Sequence, residues 1–195
     1  MYNRFFKRLL DIVLSFLGLV ILSPIFIVVA IAVKLDSKGP ILFRQKRIAK
    51  DKKHFEILKF RTMYADVPKD VPTHLLANPE SKITKVGRFL RKSSLDELPQ
   101  IWNILVGEMS IIGPRPALWN QYDLIAERDK YGANDVRPGL TGLAQIMGRD
   151  ELPIDVKAKY DGEYAQKITF MKDVKIFFRT ITSVLGAEGI KEGKD

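Results

Sequence analysis

No cysteine occurs among the 195 residues of this chain. That excludes a disulfide framework, a zinc ribbon and a thiol nucleophile. Histidine is nearly absent as well. His54 and His74 stand far apart and lack a third ligand at metal spacing, so they read as a strand and a loop histidine. There is no Gly-x-Gly-x-x-Gly and no Gly-x-x-x-x-Gly-Lys-Ser/Thr loop, which removes the main support for dinucleotide and P-loop folds. No Asp-x-Asp pair and no Gly-x-Ser-x-Gly elbow appear either. Internal repeats, low-complexity tracts and Gly/Ser linkers are missing. The last absence is local: between Asp11 and Lys34 no side chain carries a charge.

Ile12 to Val33 is almost pure Ile, Leu, Val, Phe and Ala, interrupted by Ser23-Pro24. A straight helix over this run would reach about 33 Å, enough to cross a hydrocarbon core of about 30 Å. Pro24 has no N–H for the carbonyl of Val20, so the sequence predicts a bend or break there. In lipid the freed carbonyl needs a partner, and the Ser23 hydroxyl is the nearest. A helix broken at mid-depth can return to the side it entered from, whereas an unbroken one is a one-pass anchor. A cleaved signal peptide is disfavoured by the length of the run and by its proline, although Ala30-Ile31-Ala32 imitates a cleavage site.

Charge follows the apolar run. Residues 1–63 hold 13 basic and 4 acidic side chains, a surplus of 9, and residues 64–195 hold 19 of each. The whole net charge of +9 therefore lies beside the membrane segment. A nucleic-acid binder would carry its basic stripe on the folded domain. Arg4, Lys7 and Arg8 before the run, with Lys34 and Lys38 after it, suit an anionic leaflet and two cytoplasmic ends.

The remaining residues, about 160, suffice for one domain. Three units are expected: a membrane helix over 1–36, a cytoplasmic catalytic domain over 37–185 and a flexible tail over 186–195. Residues 41–44 and 54–60 read as an antiparallel hairpin around the polar turn 49–53. The prolines and polar residues of 66–81 read as a loop. Short helices are predicted over 84–92 and 99–106, and amphipathic ones over 119–131 and 170–185. The apolar stripe of the last fits either core packing or a helix lying on a membrane surface. Strand–helix alternation is missing, so the predicted class is α+β, mostly helical, without a doubly wound parallel sheet.

Chemistry concentrates in three clusters. In Arg91-Lys92-Ser93-Ser94-Leu95-Asp96-Glu97-Leu98-Pro99-Gln100, Ser94 and Glu97 match a capping box, while Asp96 as cap would place Pro99 in the first turn. Either way both carboxylates face the positive end of a helix dipole, as chemical groups or as caps only. In Gly113-Pro114-Arg115-Pro116 two prolines stiffen the backbone around one arginine, which suits a phosphate clamp or a rigid corner. Arg137-Pro138-Gly139-Leu140-Thr141-Gly142 places another arginine before a turn whose glycines allow close backbone approach. Lys59 and Arg61 add cations at the end of the second strand. A carboxylate pair, preorganised cations and a membrane insert point to chemistry on a phosphorylated substrate at a bilayer.

Lys59-Phe60-Arg61-Thr62-Met63, Ser94 to Gln100, Gly107-Glu108-Met109-Ser110, Gly113 to Pro116 and Val136 to Gly142 follow one another in the order seen in bacterial sugar transferases. The chain resembles their monotopic phosphoglycosyl transferases from Lys7-Arg8 to Phe170, in the small, catalytic-domain-only form. The resemblance implies transfer of a sugar-1-phosphate from a UDP-sugar to undecaprenyl phosphate with release of UMP. It implies Asp96 as covalent nucleophile, Glu97 beside it as metal ligand or base, and Mg²⁺ as cofactor. Lys59, Arg91, Arg115 and Arg137 match phosphate- or nucleotide-binding positions. Ser23 and Pro24 match a re-entrant helix break, and the location implied is the cytoplasmic face of the bacterial inner membrane. Capsule or exopolysaccharide assembly is the implied setting, with downstream membrane glycosyltransferases as partners. Residues 117–122 resemble members using N-acetylated 6-deoxy sugars such as N-acetylfucosamine. The rival reading is a catalytically inactive membrane-docked binding module.

Overall fold

The computed structural model describes residues 2–68, 78–148 and 152–185. His74, part of the loop expected over 66–81 and the tail from 186 lie outside them. After a wide π-type turn over Tyr2–Phe6, helix α1 runs from Lys7 to Asp36. It is the one described helix long and apolar enough to cross a membrane.

Of the bend or break expected at Ser23-Pro24, no break appears: α1 continues through Pro24. One proline removes one backbone bond, and the neighbouring turns keep theirs. The Val20 carbonyl left over accepts from the Ser23 hydroxyl at 2.8 Å, as the sequence predicts. The buried side chains of α1 are Lys7, Asp11, Ser15, Val29 and Val33, and large apolar residues such as Phe16, Val20, Ile21, Ile27 and Val28 are exposed. A core helix would show the reverse.

Strands β1 (Leu42–Ile48) and β2 (His54–Phe60) form the predicted antiparallel hairpin, Leu42 opposite Phe60 and Ile48 opposite His54. A short 3-10 turn over Lys50–Lys52 joins them. The inward side chains Phe55 and Ile57 of β2 pack on Ile104 and Met109. Helix α2 (Lys85–Lys92) starts where Thr84 accepts from the Gly87 N–H at 3.0 Å. Helix α3 (Gln100–Val106) follows a 3-10 turn over Leu95–Glu97. Val29 and Val33 of α1 meet Phe60 and Leu90 in a second cluster, so α1 belongs to the same core.

A feature outside the sequence reading is the parallel pair β3 (Ser110–Ile112) and β4 (Gly139–Thr141). Glycine makes it possible: a Cβ on Gly139 would lie 2.1 Å from the Gly113 nitrogen, and one on Gly142 would lie 2.1 Å from the Gly113 oxygen. The close approach read from these glycines is real, and its object is the Gly113 backbone. Helix α4 (Tyr122–Asp129) is shorter than the predicted 119–131. Helices α5 (Leu143–Met147) and α6 (Ile154–Gln166) were not predicted, and α7 (Phe170–Leu185) matches its predicted bounds. Ile112, Tyr164 and Ile176 join β3, α6 and α7. Phe170, Met171, Phe177, Phe178 and Ile181 of α7 remain exposed, while Ile176 is buried, so α7 serves the core on one face only.

Candidate active site

Asp96 and Glu97 sit in the 3-10 turn that leads into α3. Neither expected cap forms. Ser94 adopts a left-handed backbone, φ 56°, without a capping bond, and Pro99 stands at the helix start. The reason is local: the Glu97 N–H donates to the Ser94 carbonyl at 3.2 Å, and the Leu98 and Ile101 N–H groups likewise bond three residues back. With these amides satisfied by backbone, the carboxylates are left to other partners.

The hairpin and the proline loop supply those partners. Lys59, next to last in β2, places Nζ 2.6 Å from Glu97 Oε1 and 3.9 Å from Asp96 Oδ2. Arg115, on the loop after β3, donates through Nη2 to the same Glu97 Oε1 at 2.9 Å. Arg91, in the last turn of α2, donates through Nε to Thr62 Oγ1 at 2.9 Å and lends positive charge to Asp96. Lys59, Arg91, Asp96, Glu97 and Arg115 thus converge from β2, the α2 end with the turn after it, and the loop after β3. Arg137 is placed elsewhere. Its Nε donates to the Gly107 carbonyl at 3.1 Å, past the far end of α3, where burial first and the Arg137 charge second disfavour the charged form of Arg8. The remaining histidine of the sequence reading, His54, is exposed at the turn end of the hairpin.

The two adjacent carboxyls differ in character. Burial raises the Asp96 carboxyl above its ordinary value, Glu97 adds to the rise, and Lys59, Arg91 and Arg115 only partly offset it. Burial also acts on Glu97, but Arg115 and Lys59, by charge and by hydrogen bond, outweigh it and hold Glu97 well below the usual carboxylate range. Glu97 is therefore a fixed anion spent on two cations. Asp96, with a weaker hold on Lys59, is the more basic oxygen and the better nucleophile of the two.

Hard carboxylate oxygens next to a diphosphate are what Mg²⁺ takes as ligands. Among the described residues no cluster of three or more His, Cys, Asp or Glu could hold a metal. The dyad would offer such an ion one or two oxygen ligands.

Side chains that sequence reasoning missed set the positions of these groups. Asn103 of α3 accepts from the Leu58 N–H at 3.0 Å and donates to the Glu56 carbonyl at 2.9 Å, pairing with β2 just before Lys59. Arg47 donates to the Pro116 carbonyl at 3.0 Å, and Arg128, paired with Asp161, donates to the Arg115 carbonyl at 2.9 Å. Their only sequence signal was a polar residue at an apolar position of a helix or strand, such as Arg128 four residues after Leu124.

A family model described as bacterial sugar transferase matches residues 2–187. A UDP-glucose:undecaprenyl-phosphate glucose-1-phosphate transferase of Klebsiella pneumoniae is 41% identical over 192 residues, covering 92% of this chain and 40% of that protein. An undecaprenyl-phosphate galactose phosphotransferase of Salmonella typhimurium is 36% identical over 202 residues, covering 96% and 42%. The chain spans about two-fifths of the length of these relatives. It spans most of another: the exopolysaccharide production protein ExoY of Sinorhizobium fredii is 36% identical over 197 residues, covering 94% of this chain and 87% of that protein. A match over nearly the whole chain settles the assignment: the chain belongs to the bacterial sugar transferase family.

Proposed function

We propose that this protein moves a sugar-1-phosphate from a UDP-sugar to undecaprenyl phosphate, releasing UMP, in two displacements at Asp96. The observation that carries the reading is the asymmetry of the dyad: a buried, comparatively basic Asp96 beside a Glu97 held anionic by Lys59 and Arg115. In the first displacement an Asp96 carboxylate oxygen bonds to the β-phosphorus, and the bond from that phosphorus to the bridging oxygen breaks. The electron pair leaves with UMP. In the second, an oxygen of undecaprenyl phosphate bonds to the same phosphorus and the Asp96–phosphorus bond breaks, restoring the carboxylate. An acyl phosphate divides one hard step into two.

Lys59 and Arg115 hold Glu97 in the resting site and turn towards the incoming diphosphate, where a guanidinium fork matches phosphate oxygens. Arg91, whose charge acts on Asp96, would bind the transferred phosphoryl group, and Arg137, at the far end of α3, would bind phosphate or nucleotide there. Asp96 and Glu97 would hold Mg²⁺, which when bound neutralises charge between carboxylate and diphosphate. The exposed face of α1 sits in lipid at the cytoplasmic face of the bacterial inner membrane, both ends on that side, with the basic flanks against anionic headgroups. Glycosyltransferases acting on lipid-linked sugars in exopolysaccharide or capsule assembly would consume the product.

The test is UMP release from UDP-sugars with undecaprenyl phosphate and Mg²⁺. Asp96→Asn should abolish turnover, and Arg91→Ala should leave a damaged but measurable enzyme. An Asp96→Asn protein working near the parent rate would sink the covalent route. Glucose and galactose are the sugars in the relatives' names, whereas residues 117–122 carry the expectation of an N-acetylated 6-deoxy sugar. A panel containing all three classes decides between them without touching the reaction class.

A further inference from the structure

Four successive carbonyls of the loop after β3 each accept a hydrogen bond from another part of the fold. Pro114 accepts from the Gly139 N–H at 2.8 Å and Ala117 from the Ile48 N–H at 3.0 Å. Pro116 accepts from Arg47 and Arg115 from Arg128. Three of these donors are ordinary neighbours on β1 and β4. The fourth is not. Arg128 and Asp161 are 3% and 1% exposed, a fully buried ion pair joining α4 to α6.

Such a pair is an expensive way to join two helices. Desolvation of two charges often exceeds their attraction, and apolar residues of similar volume do as well or better. Here burial lifts the Asp161 carboxyl against the pull of Arg128. The geometry gives the pair another task. Arg128 uses Nε and Nη2 on one oxygen, Asp161 Oδ2, at 2.8 and 2.5 Å. That leaves Nη1 to reach the Arg115 carbonyl. Arg115 in turn sends its own guanidinium to Glu97.

We propose that the buried Arg128–Asp161 pair is a positioning device that fixes the Arg115 peptide, so that the Arg115 side chain is aimed at Glu97 and at the phosphate that the site receives. Neither member touches substrate. Asp161 locks the guanidinium plane of Arg128, Arg128 holds one carbonyl, and the two prolines keep the loop from absorbing the constraint by rotation. The phosphate half of this inference rests on the phosphosugar-transfer reading; the aim at Glu97 stands without it.

The test is a cycle on the full chain in lipid nanodiscs: Arg115→Ala, the paired replacement Arg128→Met with Asp161→Leu, and all three together. The paired replacement should keep the thermal midpoint of the parent, because it deletes both charges at once. It should nevertheless lower kcat/KM for the UDP-sugar, by up to about a hundredfold, the scale expected for a group misplaced by about 1 Å. Added to Arg115→Ala it should lower kcat/KM no further, since it acts through Arg115. A paired variant within about twofold of the parent, or one whose loss multiplies onto that of Arg115→Ala, overturns the proposal. If the paired variant fails to fold, Arg128→Lys, which keeps the charge and loses the fork, takes its place in the same cycle. If the parent releases no UMP from any UDP-sugar, the reaction reading has failed, and the aim of Arg115 is read directly. Arginine-selective ¹⁵N spectra should then show the Arg115 Nε–H exchanging with water faster in the paired variant than in the parent. An unchanged signal overturns the proposal.

Discussion

At the scale of residues, Asp96 and Glu97 are chemical equals that their neighbours set apart. The sign of each shift fixes a sign of stability. A carboxyl raised in the folded state favours folding when protonated; that benefit is present below the unfolded value and is lost as pH rises through the folded one. At neutral pH an ionised, buried Asp96 is therefore a liability to the fold. Glu97 runs the other way: its contribution is present above its ordinary value near 4.5 and is lost as pH falls through its depressed one. Asp96→Asn should thus raise the thermal midpoint at pH 7.5 while abolishing turnover, and Glu97→Gln should lower it. Differential scanning fluorimetry of the two variants checks both signs, and an Asp96→Asn protein less stable than the parent would refute the account. Catalysis should fall on the acid side through the raised value of Asp96, whose ionised form attacks. The dyad, Lys59 and Arg115, which the structure brings together, stood out in the sequence through the order of their motifs, the residue types alone fitting caps and a rigid corner as well. Arg128, Asp161 and Asn103 did not. A charged or amide residue on an amphipathic helix ordinarily marks a solvated face, and only tertiary packing reveals the buried partner.

At the scale of elements, periodicity served well wherever it ran long enough. The β1–β2 hairpin, α2, α3 and α7 could be read from alternating or helical apolar spacing. Strands β3 and β4, three residues each, carry no period, and their pairing depends on Gly113, Gly139 and Gly142 meeting backbone to backbone. Helix α6 escaped because its buried face is Ala158, Asp161, Gly162 and Tyr164, which reads as polar. In helix α1 Pro24 predicts a bend or a break; the helix continues, and the bond that makes continuity tolerable, Ser23 Oγ to the Val20 carbonyl, is the one the sequence predicts. That bond makes a conditional prediction. Ser23→Ala should cost about 1 kcal/mol in lipid, because the Val20 carbonyl loses its partner. In a Pro24→Ala background the cost should vanish, since residue 24 then supplies an N–H. Thermal unfolding of the four proteins in nanodiscs measures the coupling, and equal costs in both backgrounds would disprove it.

At the scale of the whole molecule, the question is which side of the bilayer each end of α1 occupies. A straight helix of its 30 residues reaches about 45 Å, longer than the hydrocarbon core of about 30 Å, so length alone permits a span. The bonds at its two ends argue otherwise. At the N-terminal end Lys7 meets Asp173 of α7 at 2.7 Å, Arg8 donates to the Ile104 and Leu105 carbonyls of α3, and Asp11 accepts from the Ile111 N–H of β3. At the C-terminal end Asp36 accepts from the Val86 N–H of α2, and Arg61 donates to the Val33, Ser37 and Lys38 carbonyls. Elements α2, α3, β3 and α7 belong to one packed body. A spanning α1 would have to draw one set of these charged partners through lipid, at several kcal/mol for each group left unpaired. The proposed one-sided arrangement leaves every one of these bonds intact and would bury the exposed apolar face of α1 in one leaflet. The exposed side chains Trp102, Phe177 and Phe178 would reach the same interface. A cysteine in place of Asn3, in a chain with no other thiol, should therefore react with a membrane-impermeant maleimide only after the cytoplasmic face is opened. Lys7→Ala should weaken that confinement, because it frees the N-terminal turn from α7. Labelling of Asn3→Cys in intact spheroplasts would place the N-terminus outside and end the one-sided arrangement.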